Sequence, residues 1–201
     1  MNKAMQYGRS MIEMLGVLAI IGILTVGGFN LVMKVRTHQN INEVTDNITS
    51  LAYKVRAVAR DYDGLAGLYT DKAYLARAYP DTLEYNVSSQ ALVDRNDVAY
   101  TVYYNGNSGE GKSILFMISA SGLSTEMCLN MVSANYGTKA TSGFVGMSIG
   151  DANIMSAVSA IGNKSSDNIA IPGDVSHPMP MSLGTASRFC SENVTMYFAF
   201  R

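Results

Sequence analysis

Residues 14–33, from Met14 to Met33, carry no charged side chain, and the residue immediately before them is a carboxylate, Glu13. About 20 apolar residues in a helix, at 1.5 Å rise each, are what the hydrocarbon of a bilayer requires. A charged side chain in lipid costs on the order of 2.5–3.5 kcal/mol on insertion scales. Glu13 therefore calls for a positive partner once it lies among apolar helices.

The helical pattern does not stop at Met33. Val35, Ile41, Val44, Ile48, Leu51, Ala52, Val55, Val58, Ala59 and Tyr62 recur mostly at steps of three and four, with Arg36, Gln39, Glu43, Asp46, Lys54, Arg56 and Arg60 between them. That is an amphipathic stripe. No Pro or Gly interrupts it between Phe29 and Asp63. The pattern predicts one helix over about Ser10–Asp63, roughly 80 Å long, stopped by Gly64 and Gly67. Its first part, 9–33, is apolar all round; its second, 34–63, has one apolar face and must lie on something. Residues 1–8, with one charge at Lys3, are too short to fold. The rival reading is an ordinary secretory signal cleaved near Gly27 or Gly28. Its apolar region spans about 7–15 residues and needs no carboxylate at its entrance.

Charged residues make up 15% of the chain, against about 25% in ordinary domains, which suits a surface packed against copies of itself. The net charge of −1 offers no general attraction to nucleic acid. The two cysteines, Cys128 and Cys190, are not in a C-x-x-C pattern. Outside the cytoplasm they read as one disulfide; otherwise they are two buried thiols.

Residues 64–201 predict a head of α+β class. Residues 64–95 carry turn signals and one short helix over 71–78. Strands are expected over 98–104 and 113–119 from their β-branched and aromatic content, joined by a flexible turn at 105–112. A short helix over 124–132 has Ser124 as its N-cap. A weak strand over 143–149, a short helix over 151–161 and a polar loop over 162–187 follow. The last strand, 194–200, is hydrophobic and is expected inside the sheet, because a flat apolar edge invites aggregation.

Gly106 to Ser113 matches the phosphate-loop pattern G-x-x-x-x-G-K-[ST]. That loop works between a strand and a helix, whereas Ile114-Leu-Phe-Met-Ile118 reads as strand, so a hairpin turn accounts better for it. Asp61, Asp63, Asp94 and Asp97 are weak calcium candidates. His38, His177 and the remaining carboxylates form no catalytic constellation, and neither a catalytic residue nor a cofactor or metal is expected.

The order Gly8, Arg9-Ser10-Met11-Ile12-Glu13, then Met14-Leu-Gly-Val-Leu-Ala-Ile-Ile-Gly-Ile-Leu24 resembles the class III leader and N-terminal helix of type IV pilins and pseudopilins. The resemblance is strongest over about residues 5–40. It implies cleavage by a prepilin peptidase between Gly8 and Arg9, and N-methylation of Arg9. It also implies pairing of Glu13 with the N-terminal amine of a neighbouring subunit, which sets register. Arg9 stands where the family usually has Phe or Met. The helix proline of many relatives is missing, with Gly22, Gly27 and Gly28 in the loosening role. The resemblance further implies a Cys128–Cys190 disulfide closing an outward loop region, which is more like type IVb pilins; the short leader is more like type IVa.

The expected protein is a non-enzymatic subunit of a type IV pilus-like filament that self-associates through its N-terminal helix. Its expected partners are the prepilin peptidase, the pilus assembly machinery and inner-membrane lipid; nucleic acid is not among them. It is expected in the bacterial inner membrane as a precursor, then in an extracellular fimbrium. The alternatives are a type II secretion pseudopilin or minor pilin, or a binding domain behind an ordinary signal.

Overall fold

The structure, a computed structural model, describes residues 4–61, 78–104, 116–134, 136, 142–150, 168–171 and 178–201. The expected helices over 71–78 and 151–161, the turn at 105–112 with its Gly106–Ser113 pattern, the stop at Gly64 and Gly67, and His177 all lie wholly or almost wholly outside the described residues. The chain divides into two units, residues 1–40 and 41–201.

Helix α1 is Ala4–Asp61. It begins within the stretch expected to be too short to fold. Ala4, Met5 and Gln6 are good helix formers and simply extend the helix that follows.

In the second unit, the stripe of α1 supplies one wall of the core. Val44, Ile48, Leu51 and Val55, spaced four, three and four apart, are completely buried. Burying each such side chain contributes about 1.5–3 kcal/mol. The facing wall is a sheet built from β1 (Glu84–Asn86), β2 (Ala91–Val93), β3 (Ala99–Tyr104), β4 (Phe116–Leu123), β5 (Phe144–Ile149), β6 (Ile169–Ala170) and β7 (Val194–Phe200). Its order is β1-β2-β3-β4-β7-β5-β6, with every neighbouring pair antiparallel. Helices α2 (Thr125–Ser133) and α3 (Leu183–Ala186) complete the described elements.

Alternation along the strands selects which side chains enter the core. Val102 lies opposite Ile118, Ile118 opposite Phe198, and Phe198 opposite Met147; all four are buried. At one end of the sheet Phe116 stacks on Phe200 with ring centroids 5.6 Å apart, and Phe144 meets Phe200 edge-on at 5.6 Å. Pairs of this kind add about 0.5–1.5 kcal/mol beyond area burial. The expected strand over 194–200 is β7, and it does lie inside the sheet, between β4 and β5.

The reading of 64–95 as turns and one short helix, and of 162–187 as polar loop, needs correction. The first holds the β1–β2 hairpin, and the second holds β6 and α3. These elements are two to four residues long, too short to show a period. The strand expected over 113–119 runs on to Leu123. Gly122, at φ +87°, sits in the bulge between Ala120 and Leu123, a conformation glycine adopts without strain.

Candidate assembly surface

In the first unit, α1 from Met11 to Thr25 is exposed on all sides. Met11, Ile12, Met14, Leu15, Val17, Leu18, Ile20, Ile21, Ile23 and Leu24 are each between 50% and 75% exposed. Glu13 is the single charged residue of this stretch, and it too is exposed. Thr25 does not break the apolar character. Its hydroxyl donates to Ile21 O at 2.7 Å and Gly22 O at 3.0 Å, satisfying itself on its own helix. An added Cβ at Gly16 or Gly22 would meet nothing within 4 Å, so both glycines leave open shallow spots on the surface.

Among the described residues no helix is long and apolar enough to cross a membrane. The expected span over 14–33 is thus not found there. The side chains of residues 26–34 lie outside the described set, which leaves an exposed apolar surface over Met11–Thr25. Gly8 and Arg9 fall within α1, but the Arg9 side chain is likewise outside the described set.

In the second unit, three polar ties run from α1 to the segment just before and within the β1–β3 edge. Glu43 Oε2 accepts from Arg95 Nε at 2.8 Å, Arg95 Nη2 at 2.5 Å and Asn96 Nδ2 at 3.3 Å. Asn47 Oδ1 accepts from the Thr82 hydroxyl at 2.7 Å. Lys54 Nζ donates to the Tyr79 carbonyl at 2.9 Å. Asp94 is buried and fully used: Oδ1 accepts from Asn96 N and Val98 N, and Oδ2 accepts from the Tyr100 hydroxyl at 2.7 Å. Its oxygens close a turn, which accounts for a carboxylate earlier weighed as a calcium ligand. Burial, with the Asp94 carboxylate beside it, pushes the Tyr100 hydroxyl well above the ordinary phenol range.

Cys128 and Cys190 are bonded, with Cα atoms 5.7 Å apart. The bond ties α2 to the segment leading into β7. A second tie lies beside it: Glu192 Oε1 accepts from the Thr125 hydroxyl at 3.0 Å, at the N-terminus of α2, where a carboxylate also complements the helix dipole. Ser124 caps the same helix, accepting from Met127 N at 3.3 Å.

No protein-family model matches the chain, and no curated protein matches it by sequence. Three solved chains match. One is described as the crystal structure of type IV b pilin from Salmonella typhi; it is 18% identical, covers 77% of this chain and 95% of its own, and has a TM-score of 0.46.

Proposed function

We propose that the protein is a structural subunit of a type IV pilus-like filament, held in the inner membrane before assembly and polymerised through α1. The observation that carries the reading is the ring of exposed apolar side chains from Met11 to Leu24 around one carboxylate. Apolar surface on this scale needs cover, first from lipid and then from the helices of other copies.

Prepilin peptidase cleaves between Gly8 and Arg9 and methylates the new amine of Arg9. That amine then meets Glu13 of a neighbouring subunit. In a dry bundle of helices an unpaired carboxylate is strongly disfavoured, so the pair fixes one register among many. The role is binding, with no chemistry performed by the head. The disulfide supports an extracytoplasmic head, since such bonds persist in oxidising compartments.

Mass spectrometry of the mature N-terminus, with electron microscopy of sheared surface material, tests the reading. A methylated Arg9 start and filaments containing the protein are expected. A start near Phe29 would sink it in favour of an ordinary signal.

A further inference from the structure

Four asparagines stand in the pattern N-x-[ST] without an intervening proline: Asn47-Ile48-Thr49, Asn86-Val87-Ser88, Asn163-Lys164-Ser165 and Asn193-Val194-Thr195. In an exported chain this is the acceptor pattern for an N-linked glycan, and an acceptor belongs on a surface loop. The fold treats the four very differently.

Asn47 is buried, and its Oδ1 is taken by Thr82. Asn193 leads directly into β7, and Thr195 is part of that interior strand. The Thr195 hydroxyl donates to Ser121 Oγ at 3.1 Å, and its carbonyl accepts from Gly150 N at 2.8 Å. Presenting this site would pull out a strand paired on both sides. Asn163 lies outside the described residues.

Asn86 is placed in the opposite way. It is the last residue of β1, and among the described residues β1 pairs with β2 alone. Residues 86–90 form the exposed tip of the β1–β2 hairpin. Asn86 Oδ1 accepts from Ser88 N at 2.9 Å and Ser89 N at 3.3 Å, so the residue bearing the hydroxyl is folded back onto the asparagine. Its Nδ2 bonds to no described residue. Glu84 lies two residues earlier on the same short strand. Side chains two apart share a face, so a carboxylate accompanies the amide, and a transferase with a cationic acceptor site would read both. A three-residue edge strand also frays at small cost.

We propose that Asn86 is a glycosylation site, taking an oligosaccharide from a lipid-diphosphate-linked donor. The amide Nδ2 attacks the anomeric carbon of the first sugar. The new N–C bond forms as the C–O bond to the lipid diphosphate breaks, and the amide proton leaves with that diphosphate. The proposal requires an exported head, which the Cys128–Cys190 bond favours, and is independent of filament assembly.

The test is production of the full chain in a bacterial periplasm containing a membrane oligosaccharyltransferase and its lipid-linked oligosaccharide, beside a carrier protein with a working acceptor sequence. Intact-mass and peptide analysis should find one glycan increment, on the peptide containing Asn86. Asn86→Gln should abolish it and Asn193→Gln should retain it. Ser88→Ala should also abolish it, and this variant keeps both turn hydrogen bonds, because their donors are backbone groups. Glu84→Gln should lower occupancy about tenfold, the scale of one lost contact to a charged group. An unmodified chain beside a glycosylated carrier, a glycan on Asn193, or a glycan persisting in Ser88→Ala would overturn the proposal. Unchanged occupancy in Glu84→Gln would remove the carboxylate from it.

Discussion

The Arg56 guanidinium carbon lies 5.6 Å from the ring centroid of Phe200 and 5.8 Å from that of Phe116, a cation held over the aromatic end of the sheet by the same helix that fills the core. Gly143 makes this arrangement possible. It has φ +64°, and a Cβ there would run into the Arg56 guanidinium and the Arg201 carbonyl. Gly143→Ala is expected to destabilise the head by about 1–3 kcal/mol, from left-handed strain plus displacement of Arg56. Urea unfolding followed by circular dichroism measures it.

Tyr100 and Asp94 form the second sensitive pair. Tyr100→Phe leaves Asp94 Oδ2 without its buried donor and is expected to cost about 1–3 kcal/mol. The same pair sets an alkaline limit. Burial raises the hydroxyl pKa of Tyr100 in the folded state, and that of Tyr136 likewise. The unfolded chain therefore loses these protons first. Their stabilising contribution is complete below about pH 10, the ordinary phenol value, and declines as pH rises above it. Thermal melts between pH 8 and 12 should show stability falling above pH 10. The fall should be shallower in Tyr100→Phe.

The ties from α1 to the β1–β3 edge should differ in worth. The Arg95 side chain is 73% exposed, so Arg95→Ala is expected to cost no more than about 1 kcal/mol. Asn47 is buried with its oxygen satisfied by Thr82. Asn47→Leu, which removes the bond to Thr82 and overfills a buried site, is expected to cost about 1–3 kcal/mol. Equal losses in the two variants would contradict this ranking.

Breaking Cys128–Cys190 by a Cys128→Ser, Cys190→Ser double substitution is expected to cost roughly 3–5 kcal/mol for a loop of this length. The first effect should be lost protection of α2 in hydrogen exchange.

For the helix, Glu13→Ala should leave the head folded, with an unchanged melting temperature, and should stop filament assembly. Normal filaments from this variant would remove the register argument.

The sequence announced those parts of the fold whose burial is periodic. The stripe from Ile41 to Val58, the strands around Val102 and Phe198, and the Ser124 cap all carry local chemistry that names their structure. The β1–β2 hairpin was illegible because Glu84-Tyr-Asn86 and Ala91-Leu-Val93 are held by their pairing and by ties from α1, not by propensity. Arg56 looked like a solvated member of the polar face, and only packing reveals its place over Phe116 and Phe200. The exposed apolar surface of α1 was legible as composition, because ten apolar residues around Glu13 need no tertiary structure to be recognised. The exposed N-x-[ST] site was not: in the sequence Glu84 alone sets Asn86 apart from the other three copies, and burial and strand pairing decide which copies are presented.

The place of β7 has a consequence for how the head is made. Among the described residues, the strands before it, β1–β4 on one side and β5–β6 on the other, are joined in the sheet only through residues 194–200. A chain emerging N-terminus first, from a ribosome or an export channel, holds two unfinished half-sheets until those residues arrive. Both halves then present open backbone edges, the form in which β proteins aggregate. A chain released before residue 194 would lack the strand that closes both halves at once, so the sheet is completed only after β7 has been delivered.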